Sequence, residues 1–164
     1  MNQRADDDQP QRPAAQDGDV IFATDYWQVN LRRDARYPGY LMISSRSAAT
    51  EISQLDAAAL SGLGGVMKRV EQLLLQFCRP DKVMFWKLGF SPGFSLHFHA
   101  APVTPELLRE IAAHPDYPAE PDGNDVILYL SRIYCERPLS ASEMARREQT
   151  RAQLTTLAAR QAVD

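Results

Sequence analysis

Between residues 56 and 77, Leu60, Leu63, Val66, Met67, Val70, Leu73, Leu74 and Phe77 recur at three- and four-residue steps. That spacing gathers them on one stripe of an α-helix. Asp56 stands where an N-cap is needed, and Arg79-Pro80-Asp81 closes the run. A helix of this length must bury its stripe against something, and the segments around it are strand-like. Residues 20–23 and 26–31 are rich in β-branched and aromatic side chains, and residues 40–43, 83–86 and 95–101 read as further strands. The stretches RRDARYPG (32–39) and GFSPG (89–93) carry the Pro and Gly that turn a chain between them. The expected fold class is therefore α+β, an antiparallel sheet of about five strands with one long helix packed on it. Gly62, Gly64 and Gly65 each cost about 1 kcal/mol against Ala inside a helix. Their presence implies either a close approach to the sheet, or a kink or late start of the helix.

Beyond residue 103 the pattern becomes helical and proline-punctuated. Thr104 is placed to cap a short helix reaching about residue 113, residues 125–136 form another, and Ser140 with Glu143 makes a capping box before a last helix. That last helix is rich in Ala and Arg, and its stripe of Met144, Leu154 and Leu157 is thin, so weak docking or packing on a partner is expected. Arg146, Arg147 and Arg151 read as a solvated face. The expected division is a disordered tail at 1–19, a sheet-and-helix domain at 20–103 and a helical C-terminal extension at 104–164. Residues 1–19 contain almost no large apolar side chain and cannot offset their ordering entropy.

The 164 residues suit one compact domain with an appendage. A formal charge of −3 gives no global positive field, which disfavours DNA or RNA as a partner. No stretch approaches the roughly 20 apolar residues that cross a bilayer, so no membrane is expected either. The N-terminal stretch carries five acids against two arginines and lacks an apolar core, unlike a secretory or transit segment. The expected location is cytoplasmic, with Cys78 and Cys135 reduced.

The chemistry concentrates at residues 95–101. On a strand, Ser95, His97 and His99 point to one face while Leu96, Phe98 and Ala100 point to the other. Beside a glycine-containing loop, such a row can hold a phosphate and place one imidazole for in-line attack on phosphorus. A metal is the rival use of a His-x-His pair, but a closed site takes three or four ligands. The one other histidine, His114, lies in a separate loop, so no metal and no other cofactor is expected.

Read in order, RRDARYPGYLMISSR, EISQLDAAAL and PDKVMFWKLGFSPGFSLHFHAAPV resemble the histidine triad (HIT) superfamily of nucleotide hydrolases and transferases. The resemblance covers residues 20–103 and rests on Asp34-Ala35-Arg36-Tyr37-Pro38, Glu51-Ile52, Leu55-Asp56, Asp81-Lys82, Leu88-Gly89 and Leu-His-x-His. It implies a HIT-like sheet and hydrolysis or nucleotidyl transfer at an α-phosphate. The substrate implied is a nucleoside phosphoramidate or a dinucleoside polyphosphate. His97 matches the motif histidine that takes the nucleotidyl group, and His99 matches the third; the first is replaced by Ser95. A serine donates a hydrogen bond but is no general acid near neutral pH. The same resemblance implies ribose contacts for Asp34, phosphate-side contacts for Gly89 and Ser91, a nucleotide or dinucleotide as partner, and a homodimer. Arg33 and Ser44-Ser45 depart from the Asn and the Val-Pro or Ile-Pro that the resemblance would lead one to expect. With Ser95 they keep a rival open: a catalytically reduced module that binds a nucleotide or a protein on the same fold.

Overall fold

The computed structural model describes residues 19–161, so the tail expected at 1–19 lies, apart from Asp19, outside the described residues. Asp19 accepts from Arg147 (Nη1 to Oδ1, 2.9 Å).

Five strands follow one another: β1 (Val20–Ala23), β2 (Trp27–Leu31), β3 (Leu41–Ser45), β4 (Lys82–Trp86) and β5 (His97–Val103). They form one sheet in the order β1-β2-β3-β5-β4, and every neighbouring pair is antiparallel. The expected α+β sheet is what the sequence folds into. The last strand enters between β3 and β4, so β5 is held on both sides by hydrogen bonds.

The long helix α1 (Ala57–Cys78) connects β3 to β4. The Asp56 side chain caps it by accepting from the Ala59 amide at 2.7 Å. Ala59, Val66, Val70, Leu73 and Leu74 are its buried face. Trp27 ties the first turn to the sheet, its indole N–H donating to the Ala59 carbonyl at 2.9 Å. Two details differ from the sequence reading. Leu60, counted in the stripe, is 43% exposed. The three glycines do not allow a close approach to the sheet: a Cβ added at Gly62, Gly64 or Gly65 meets nothing within 4 Å. They are exposed within an unbroken helix.

Beyond β5 come α2 (Pro105–Ala113), capped by Thr104, and α3 (Gly123–Tyr134), capped by Asp122. The helix α3 starts and ends two residues earlier than the sequence suggested. Asp122 receives the Asn124 and Asp125 amides, while Glu136 just past the end takes a left-handed φ of 64°. Then α4 (Ala141–Gln161) opens with the expected reciprocal box between Ser140 and Glu143.

These helices place two apolar cores on the two faces of the sheet. On one face α1 and α4 enclose Val29, Leu31, Ile43, Phe98, Leu154 and Ala158. On the other, α2 and α3 enclose Tyr40, Trp86, Ala101, Leu107, Ile111 and Leu130. The thin stripe of α4 is thus well docked: Leu154 is fully buried, and Arg69 donates to the Ala158 carbonyl at 3.0 Å. Arg147 departs from the solvated face expected of it. Its side chain is 14% exposed and also donates to the carbonyls of Leu31 and Arg32. Cys78 and Cys135 are free thiols, both pushed up to about 11 by burial.

Candidate functional site

Strand alternation decides which side chains meet. Phe98 and Ala100 of β5 face α1, while His97 and His99 share the opposite face with their ring centroids 5.3 Å apart. Ser44 pairs with His97 across the sheet, and Met42 and Trp86 flank His99. The α2 and α3 helices cover that face around Trp86, Ala101 and Val103, so His99 is buried while His97 remains half-buried at a cleft.

The cleft holds about 230 Å³ and lies between the 89–95 loop and Thr50-Glu51, with Lys87 and His97 in its wall. Gly89 and Gly93 turn the loop at φ of 72° and 89°, where a side chain is strained. A Cβ at Gly89 would stand 3.8 Å from the His97 ring, so the loop backbone lies against the imidazole edge. His97 Nδ1 is 2.8 Å from the Ser95 carbonyl. A carbonyl only accepts, so Nδ1 carries a proton, and in the neutral ring Nε2 keeps a free lone pair. Ser95 lines the same cleft, but its hydroxyl donates to the Ser45 carbonyl of β3 at 3.1 Å. Its backbone oxygen, rather than its side chain, is what orients His97.

His99 sits at the inner end of a partly buried relay. Arg32 Nη1 donates to the Tyr40 hydroxyl at 2.9 Å, and that hydroxyl lies 2.9 Å from His99 Nδ1. Because Arg32 can only donate, the Tyr40 hydroxyl donates its own hydrogen bond to Nδ1, which leaves the His99 proton on Nε2. Asp34 completes the chain by accepting from Arg32 Nε at 2.7 Å and Nη2 at 3.4 Å. The Trp86 ring stacks on His99 at 5.5 Å with 10° between planes. Burial pushes His99 down to about 3, and the nearby His97 and Arg32 add to it. It is a neutral hydrogen-bond donor at physiological pH. Burial opposes the charge on Arg32 and on Asp34, yet their mutual pairing outweighs it: Arg32 is raised and Asp34 lowered. Burial holds the Tyr40 hydroxyl protonated, up to about 12.

The structure therefore brings together Ser95, His97, Gly89 and Ser91 at one cleft, with His99 behind it. Asp34 is not with them. It lines a second, open depression with Arg33 and residues 136–139, and its carboxylate also accepts from the Glu136 amide at 3.2 Å. Tyr40, Arg32, Trp86, Lys87 and Glu51 are the site residues that the sequence reading passed over. Tyr40 and His99 are 59 positions apart, and only the pairing of β3 with β5 makes them neighbours. Among the described residues, no group of three or more His, Cys, Asp or Glu is placed to hold a metal ion.

No protein-family model matches the sequence, and no curated protein matches it. Solved structures do. A histidine triad protein from Marinobacter aquaeolei VT8 superposes with a TM-score of 0.59 at 17% identity, over 86% of this chain and 88% of that one. A histidine triad protein from Bradyrhizobium japonicum gives 0.54 at 23% identity, over 83% and 89%. A mutant uridylyltransferase gives 0.56 at 13% identity, over 89% of this chain and 44% of that one. The sheet and its helices define a protein of α+β architecture. More specifically, the chain has the histidine triad fold.

Proposed function

We propose that this chain binds a nucleotide and acts at its α-phosphate as a HIT-type hydrolase or nucleotidyl transferase, with His97 as the nucleophile. The observation that carries the reading is the 2.8 Å contact between His97 Nδ1 and the Ser95 carbonyl. In the neutral ring it places the lone pair on Nε2, and it disperses the positive charge that develops on the ring once Nε2 has bonded to phosphorus. The likeness to histidine triad proteins and to a uridylyltransferase supports the same reading.

In this reading, the backbone amides of residues 95–99 and of the glycine loop stabilise charge on the phosphoryl oxygens. The Nε2–H of His99 donates to one of them, held in that tautomer by Tyr40. Asp34 is assigned the support of Arg32 rather than the ribose contact that the resemblance implied. Ser91 and Gly89 form the phosphate-side wall. Substrates of the class are nucleoside phosphoramidates and dinucleoside polyphosphates.

The experiment is substrate turnover combined with mass spectrometry of the quenched protein. The expected result is a nucleotidyl adduct on a peptide containing His97, and loss of both adduct and turnover in His97→Ala with the fold retained. Turnover in His97→Ala equal to that of the unaltered protein would sink the assignment. The turning of the Ser95 hydroxyl toward β3 favours a second reading, a nucleotide-binding module without turnover. Saturable nucleotide binding with no adduct and no product is its signature. A homodimer remains part of the proposal, to be measured by sedimentation equilibrium.

A further inference from the structure

The His97 cleft contains a cation that the proposed chemistry has not yet used. Lys87 follows directly on β4, and its Nζ lies 3.0 Å from Glu51 Oε2, which stands just before the 3-10 turn Ile52–Gln54. The two residues are in the wall of the same cleft as His97, and among its described lining residues Lys87 is the one bearing an ammonium or guanidinium group. The Lys87 side chain is 27% exposed and that of Glu51 is 58% exposed. An ion pair this open contributes little by itself. A polyanion entering the cleft therefore competes well with a single carboxylate for the ammonium group.

The proton donors around His97 are committed elsewhere. Ser95 gives its hydroxyl proton to the Ser45 carbonyl, and His97 gives its Nδ1 proton to the Ser95 carbonyl. His99 is buried and neutral: its Nδ1 accepts from the Tyr40 hydroxyl, and its Nε2–H is assigned to a phosphoryl oxygen rather than to the leaving atom. An amine leaving group has to be protonated as it departs, whereas a phosphate or polyphosphate can leave as the anion and needs a positive partner instead.

Resting on the His97 reading, we infer that Lys87 holds the leaving phosphate of a phosphoanhydride substrate and exchanges Glu51 for it, so that the cleft selects an anionic leaving group over an amine. In the first step the Nε2 lone pair forms a bond to the α-phosphorus. The bond from that phosphorus to the bridging oxygen breaks, and its electron pair stays on the oxygen, which departs as a phosphate anion paired with Lys87. In the second step water bonds to the phosphorus, Nε2 takes back its electron pair, and the water proton passes to solvent, releasing a nucleoside monophosphate.

The test uses the full chain with two pairs of probes: the dinucleoside tetraphosphates of adenosine and guanosine, and the 5′-phosphoramidates of the same nucleosides. Wild type is expected to favour the tetraphosphates in kcat/KM. Lys87→Met should lower tetraphosphate kcat and kcat/KM together by about tenfold or more, the mark of a contact strongest in the transition state. It should leave the phosphoramidates within about twofold, since a departing amine carries no negative charge for the ammonium group to neutralise. Lys87→Arg should recover most of the loss because it restores the charge. Glu51→Gln should keep or raise tetraphosphate turnover by freeing the ammonium group. Equal loss on both substrate classes, no loss on either, or faster phosphoramidate turnover in wild type overturns the leaving-group assignment alone. A fall in tetraphosphate turnover in Glu51→Gln overturns the exchange. Turnover that survives His97→Ala overturns the nucleophile instead, and no wild-type turnover of any probe overturns both.

Discussion

The two histidines of β5 are two positions apart, yet their surroundings give them different chemistry. His97 meets a carbonyl at Nδ1 and open space at the cleft, whereas His99 meets a hydroxyl and the face of Trp86. Tyr40→Phe tests that distinction. It removes the hydroxyl that donates to His99 Nδ1 and leaves a partly buried Arg32 N–H without its acceptor, a loss of about 1 kcal/mol of stability. The activity should fall by about tenfold, since the tautomer of His99 is no longer fixed. Nitrogen-detected NMR of the His99 ring in the variant is the check; an unshifted Nε2–H tautomer would show that Tyr40 does not set it. A second substitution addresses the missing first imidazole. Ser95→His should raise turnover of a phosphoramidate more than that of an anhydride, by something within the roughly 10²–10⁴-fold range of general acid catalysis. Rates unchanged on both substrates would remove position 95 from the proton traffic. The pair His97 and His99 was legible in the sequence because strand alternation is local. The relay through Tyr40 and Arg32 was not, because it depends on which strands become neighbours.

At the scale of the elements, the strands and α1 were readable because each carries its own periodicity and punctuation. The glycines of α1 were misread because conformational cost says that a reason exists, not on which side of the helix it lies. Gly64 and Gly65 stand on the exposed side with open space around them. Replacing each with Ala should stabilise the helix by about 0.8–1 kcal/mol. In a chain of this size that corresponds to a rise of about 2–4 °C in the melting midpoint. Calorimetry of the double variant is the measurement, run beside sedimentation. A lowered midpoint accompanied by loss of a dimer would place this smooth face in a subunit contact. The sequence also undervalued α4, since counting apolar positions misses what a few of them touch. Leu154 and Ala158 reach the core shared by α1 and β1, and the Arg147 guanidinium is spent on Asp19 and two carbonyls of the β2 end.

For the whole molecule, burying a neutral histidine between the sheet and the α2–α3 layer couples folding to pH. In the unfolded chain His99 titrates near its ordinary 6.5, and in the folded protein burial pushes it down to about 3. Between those values the unfolded state binds a proton that the folded state refuses, so stability must fall as pH drops below about 6.5. The slope approaches about 1.4 kcal/mol per pH unit for one proton. Asp34 also contributes, its carboxyl being lowered by Arg32 despite burial, but that loss begins only as pH falls toward the ordinary carboxylate range. The two can thus be told apart by where the decline begins. Urea midpoints measured from pH 7.5 to 4.5 should decrease steadily in the unaltered protein, and in His99→Gln they should stay level until near pH 4.5. The substitution also removes the acceptor of the Tyr40 hydroxyl, so His99→Gln starts from a lower midpoint, and the comparison rests on the slope rather than the height. A midpoint in the unaltered protein that holds constant from pH 6.5 to 5 would mean that His99 takes up its proton inside the fold. The Arg32–Tyr40 relay would then have to rearrange around an imidazolium.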